Sequence, residues 1–294
     1  GSPCTSCNRN RLQSGMEVLL GGYICDSKCV VKGFVPDSGI LDLFGDKIRF
    51  GMASFDNDGS RCSDHNGAST WNYGGDTSGS SGKLLGIKGR YCKGEKGYNS
   101  NSDNGGDGSS CWGKLIDVVD PEAPNDLLTH TQSKVKSSVL TFRASGCTPL
   151  APALWDALYY FQNYHNEIGY HDPLSACRPR FVILVTDGME NQGYGSDLYV
   201  SAPYQASRLC EAGIPVFVIG FGDPHLRSYL NTIANAGTTG ACNKSGVVLD
   251  AFMADDPATL FASLQIIMNA ILSGSSSRTE IDSAPSLKSF GTSY

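Results

Sequence analysis

The stretch whose reading decides the fold is "RFVILVTDG" (180–188), an apolar run of strand length that ends on a carboxylate and a glycine. Residues apolar on both faces predict a buried strand. Asp187 then either starts a turn or is presented to a ligand. In open parallel sheets, ligands sit in the crevice beyond the carboxyl ends of the strands, and Asp187 is placed at such an end.

On either side of this run the carboxy-terminal half alternates strands and helices. "SAPYQASRLCEAG" (201–213) predicts a helix stopped by Gly213, and "IPVFVIGFG" (214–222) a second buried strand. "PHLRSYLNTIANAG" (224–237) predicts a helix with a glycine stop, "GVVLDAF" (246–252) a strand, and "DPATLFASLQIIMNAILSG" (256–274) an amphipathic helix. Buried strands separated by helices imply a parallel sheet covered on both faces.

The amino-terminal half is patchier. "NRLQSGMEVLLGG" (10–22) carries helical spacing at Leu12, Met16 and Leu19–Leu20, while "KIRFGMASF" (47–55) and "KLIDVV" (114–119) predict strands. "QSKVKSSVLTF" (132–142) and "LAPALWDALYYFQNY" (150–164) predict helices flanking the break "RASGCTPL". Residues 56–113 form a Gly/Ser/Asn/Asp-rich insertion holding Cys62, Cys92 and Cys111, a length that is unusual unless functional or pinned by cross-links. The Ser-rich tail 274–294 predicts a linker.

With 294 residues, a net charge of −6 and no cluster of basic residues, the chain is not expected to bind nucleic acid. No run approaches the ~20 apolar residues that span a bilayer. The 11 cysteines, mostly in Gly/Ser/Asn-rich surroundings, predict cross-linked loops in an oxidising, extracytoplasmic compartment. Their odd number leaves at least one thiol free or paired elsewhere.

In the break "GCTPL" (146–150), Thr148 is placed as a helix N-cap with Pro149 at the favoured first helical position. A hydroxyl and a carboxylate on two loops at one sheet edge suit a hard divalent cation, Mg²⁺ or Ca²⁺, so Thr148 and Asp187 are the candidate metal ligands.

These residues carry a resemblance. "GCTPL" followed by "FVILVTDG" and then "IPVFVIGFG" resembles the von Willebrand factor A domain. Its metal-ion-dependent adhesion site combines Asp-x-Ser-x-Ser after the first strand, a Thr from a GxTPL-like loop, and the Asp of "TDG". The resemblance spans 9–55 and 114–273. It implies a doubly wound, mostly parallel sheet with helices on both faces, 56–113 being a disulfide-rich insertion. The family's first, central strand has no counterpart here, since "GSPCTSCNRNRL" offers no apolar run before the first helix. Without that strand two edges open inside the core. An upstream segment or a partner strand is therefore expected to complete the sheet. The one Asp-x-Ser-x-Ser string, "DTSGS" (76–80), follows no apolar run and is read as a chance occurrence.

Within this family the chain is most similar to the amino-terminal domain of PilY-type type IV pilus tip adhesins, on its cysteine-bearing insertion and on "MNAILSGSSSRTE" (268–280). The resemblance implies a binding module at the bacterial cell surface. It would meet a host or surface receptor and minor pilins, and its cation would complete coordination through a partner carboxylate. A structural spacer with a degenerate metal site is the alternative.

A secreted zinc or thiol enzyme rests only on Cys4, Cys7, Cys25 and Cys29, which come near zinc-ribbon spacing. No base, nucleophile or acid pair is placed for catalysis, so no enzyme is expected. "DNDGS" (56–60) and "DNGGDG" (103–108) read as Asx turns rather than calcium loops. The five histidines are dispersed without metal spacing.

Overall fold

A computed structural model describes residues 2–3, 11–25, 27, 31–35, 37–53, 91–93, 113–116, 148, 150–164, 178–190, 201–240, 242 and 248–276. In chain order the elements are β1 (Ser2–Pro3), α1 (Arg11–Leu20), β2 (Tyr23–Cys25), β3 (Val31–Phe34), α2 (Ile40–Phe44), β4 (Met52–Ala53), β5 (Tyr91–Lys93) and β6 (Gly113–Ile116). There follow α3 (Leu150–Tyr159), β7 (Val182–Thr186), α4 (Ala202–Glu211), β8 (Val216–Phe221), α5 (Arg227–Gly237), β9 (Phe252–Ala254) and α6 (Pro257–Ser276).

The core is the sheet β7-β8-β9, parallel throughout, with Val182 opposite Val216 and Ile219 opposite Phe252. Every residue of β8 is buried, and its side chains alternate between two layers. Val216 and Val218 pack with Leu150, Leu154 and Leu158 of α3, Ala202, Ala206 and Leu209 of α4, and Leu230 and Ile233 of α5. Phe217, Ile219 and Phe221 face the other way, against Val18 of α1, Ile40 and Phe44 of α2, and Leu260, Leu264, Ile267, Met268 and Ile271 of α6. Complete burial of a side chain such as Leu230 or Ile233 is worth roughly 1.5–3 kcal/mol relative to exposure. The two-sided covering expected from continuous apolar strands is present.

The other described strands form two small sheets. One is antiparallel, β1-β2-β3; the other is β4-β6-β5, in which β4 runs antiparallel and β5 parallel to β6. Among the described residues β7 pairs only with β8, and Val185 on it is 42% exposed. Among the described residues no strand pairs with the other edge of β7, where the resemblance places the first strand.

The strand expected at 47–55 starts only at Met52, because the backbone N–H groups of Lys47 and Ile48 are spent on the Phe44 carbonyl in the turn closing α2. The strand expected at 246–252 begins only at Phe252. Side chains of α5 and of the turn after it claim the backbone before it. Asn235 Nδ2 donates to the Leu249 carbonyl, Thr238 Oγ1 accepts from Leu249 N–H, and Asn231 Oδ1 accepts from Ala251 N–H.

Helix starts follow the local chemistry. Ser201 caps α4 by accepting from Tyr204 N–H, and Asp256 Oδ1 accepts from Thr259 N–H at 2.8 Å at the head of α6. These hydrogen bonds hold the Asp256 carboxyl below the usual range. α6 runs through Ser276, three residues into the expected linker. The expected helix 132–142 and most of the insertion lie outside the described residues.

Candidate functional site

Thr186, the last residue of β7, is buried and shapes the turn that follows it. Its Oγ1 accepts from Gly188 N–H at 3.2 Å and donates to the Gly188 carbonyl at 2.9 Å. This small ring turns the chain sharply, so Asp187 projects outward with its side chain 58% exposed.

Thr148 stands across from the turn. A Cβ built on Gly188 would lie 3.1 Å from Thr148 Oγ1 and 3.7 Å from its Cγ2, so the threonine side chain packs directly over the glycine. Glycine at 188 leaves the hydroxyl room to stand beside the residue that follows Asp187. The two expected ligands, 39 positions apart in sequence, thus occupy neighbouring loops at the carboxyl end of β7.

Two residues that the sequence reading did not single out organise these loops. Glu190 reaches back from the β7 turn: its Oε1 accepts from Ala151 N–H at 2.9 Å, in the first turn of α3. Its Oε2 accepts from the Tyr229 hydroxyl at 3.2 Å, on α5. One carboxylate therefore ties the β7 loop to the helix that follows Thr148 and to a second helix. A negative charge at a helix N-terminus is electrostatically favoured. Burial nevertheless pushes the Glu190 carboxyl above its ordinary value of 4.5, against the lowering by its hydrogen bonds from Ala151, Tyr229 and Ala202. Burial, and then the charge and hydrogen bond of Glu190, push the Tyr229 hydroxyl up as well.

The sign of this shift gives a prediction. Between 4.5 and the raised folded value, the native protein holds a proton on Glu190 that the unfolded chain has released. Stability contributed by this group therefore falls as pH rises through that window. Glu190→Gln removes the titration while retaining an acceptor for Ala151. Urea unfolding across weakly acidic to neutral pH should show a shallower decline for the variant than for the wild type. Parallel curves would contradict the assignment.

The second organiser is Arg11, the first residue of α1. Its Nη1 donates to the Asp187 carbonyl at 3.3 Å and lies 3.7 Å from Asp187 Oδ2, while Nη2 donates to the Gly222 carbonyl at 3.1 Å. Exposed ion pairs of this kind contribute about 1 kcal/mol or less. Glu190 had a local signal two residues beyond Gly188 in "TDGMEN"; Arg11 had none, because only the fold brings it 176 positions to Asp187.

Residues 129–252 match the family model of the von Willebrand factor type A domain. The matched von Willebrand A segment takes in Thr148, Asp187, Glu190 and Tyr229, all of β7 and β8, and the first residue of β9. Such a domain has a Rossmann-like α/β fold and is a general adhesion and protein-interaction module that often binds a divalent metal. No curated protein and no solved structure matches the chain significantly.

Among the described residues, no three His, Cys, Asp or Glu side chains gather into a metal-binding cluster. Hydroxyl and carboxylate oxygens are nevertheless the donor types a hard cation takes, and Thr148 beside Gly188 with the exposed Asp187 fits part of such a set. The remaining oxygens would come from water or from other segments, since such ions take six or more.

Cys4, Cys7 and Cys29 of the zinc-ribbon-like set lie outside the described residues, as does 76–80. One disulfide is described, Cys210–Cys242. The backbone N–H of His225 donates to Asp223 Oδ1 at 2.9 Å. No described helix is long and apolar enough to cross a membrane.

Proposed function

We propose that this chain is a binding module of the bacterial cell surface, the amino-terminal part of a type IV pilus tip adhesin, acting in attachment and pilus assembly through a cation held at Thr148 and Asp187. The observation that carries this reading is the packing of Thr148 over Gly188, inside the segment that matches the von Willebrand A family. The Cys210–Cys242 disulfide accords with an exported protein.

In this account Asp187 supplies the charged ligand and Thr148 a neutral one, directly or through water. The Thr186 ring and the Glu190 ties hold the two loops so that neither donor has to be gathered when the ion arrives. A divalent cation held by Asp187 and Thr148 would supply the positive charge that attracts a carboxylate of a receptor or a minor pilin. The remaining oxygens would come from water, from other segments or from a partner.

A second reading, a spacer with a degenerate site, is favoured by the Arg11–Asp187 pair, in which an internal cation already stands beside the carboxylate. Calorimetry separates the two. Mg²⁺ or Ca²⁺ should bind with measurable heat, and Asp187→Ala should abolish it. Absence of heat in both proteins favours the spacer.

A further inference from the structure

Arg11 is held in place by more than its ion pair. Its guanidinium spans the carboxyl ends of β7 and β8, donating to the carbonyls of Asp187 and Gly222. Space for it exists because residue 222 is glycine. The backbone there is left-handed, with φ of +83°, and a Cβ would lie 2.6 Å from Arg11 Nε and 3.1 Å from Cζ. Two strand-end carbonyls thus hold one face of the fork, and no side chain at 222 displaces it. The guanidinium keeps Nη1 within 3.7 Å of Asp187 Oδ2. Glu190 is the nearby carboxylate in sequence, but both its oxygens are turned to Ala151 and Tyr229. Asp223 Oδ1 is likewise engaged by His225 N–H.

We infer that Arg11 is a tethered competitor for the cation at Asp187, a residue that sets how tightly the site binds a divalent ion. This rests on the reading of Asp187 as a cation ligand. The guanidinium bears a permanent positive charge. An ion arriving at Asp187 meets that charge at close range and must either tolerate it or displace the fork from its carbonyls. Displacement would free the start of α1 from the strand ends. With the guanidinium beside Asp187 in near-aqueous surroundings, the repulsion between a unit and a divalent charge weakens binding on the order of tenfold, less at high salt.

The test is calorimetric titration with MgCl₂ and MnCl₂ of the wild type, Arg11→Gln and Arg11→Lys, each with and without Asp187→Asn, at low and at physiological ionic strength. Arg11→Gln should bind on the order of tenfold more tightly, with the gain shrinking as salt rises. Arg11→Lys, which retains the charge, should stay close to the wild type, and Asp187→Asn should abolish binding in all three. Should glutamine weaken the start of α1, Arg11→Met supplies a second neutral side chain with a similar aliphatic stem. Equal or weaker binding by the neutral variants, still abolished by Asp187→Asn, overturns this inference and leaves the cation site standing. No binding by any of the proteins overturns both.

Discussion

Replacing Cys210 and Cys242 together with alanine is expected to lower the unfolding free energy by about 3–4 kcal/mol, the chain-entropy value for closing a loop of this length. The two residues are 32 positions apart and join the end of α4 to the turn after α5. Those helices flank β8 on the side that carries Val216 and Val218, so the bridge closes a loop running through the middle of the core. Cys210 is fully buried, which shields the bond from exchange. Exchanging both cysteines avoids leaving a reactive thiol beside the other nine. Urea denaturation monitored by circular dichroism gives the measurement. The oxidised wild type should exceed the double variant by the stated margin, and a reductant should bring the wild type down toward it. Coincident curves in the absence of reductant would show that the bridge does not constrain the unfolded chain.

The second large effect is expected from Gly237→Ala. Gly237 ends α5 where the helix comes closest to β8. A Cβ there would lie 2.6 Å from Val216 Cβ and 3.1 Å from the Val216 carbonyl oxygen. Neither atom is the far end of a flexible side chain. One is fixed by the β-branch, and the other belongs to the backbone of a strand hydrogen-bonded on both sides. Relief requires moving the helix end away from the sheet, and overpacking of this kind costs typically 1–3 kcal/mol. The displaced turn also carries Thr238, whose hydroxyl donates to the Ala234 carbonyl and accepts from Leu249 N–H. A drop of about 3 kcal/mol, at the upper end of that range, is expected for this reason. Alanine at Gly213 is the useful control. Nothing lies within 4 Å of a Cβ there, and its cost comes only from a φ of +77°. A Gly237 variant as stable as the wild type would show that the α5–β8 contact yields freely.

The parts of the fold that were legible in the sequence are those whose signal is local. "VILV" and "VFVI" are continuous apolar runs visible without any tertiary information, and β8, with every residue buried, is covered on both faces as such a run implies. α4 was legible from Ser201 to Gly213 because its cap and its stop are both in the sequence. The strand at 246–252 was misplaced for the opposite reason. "GVVLDAF" has strand composition, but Asn231, Asn235 and Thr238 on the preceding helix and its turn take its backbone groups and postpone pairing to Phe252. The strand at 47–55 starts late, at Met52, because Lys47 and Ile48 close a helix before the chain extends. Composition cannot reveal either competition.

The site divides the same way. Asp187 and Thr148 stood out because each sits at a break in a periodic pattern. The groups that hold them do not: Glu190 acts through Ala151 and Tyr229, each 39 positions away, and Arg11 acts across most of the chain. Such roles exist only once α3, α5 and α1 have docked on the sheet.

The central claim is that Thr148 and Asp187 serve one ion. The most direct measurement is the backbone amide spectrum of isotopically labelled protein during titration with Mn²⁺. One bound paramagnetic ion should broaden the amides of Thr148 and Gly188 together, at the same low Mn²⁺ concentration, and Mg²⁺ in excess should restore both. Asp187→Asn should leave both sharp. Broadening of only one of the two, or of neither while resonances elsewhere vanish, would contradict the claim.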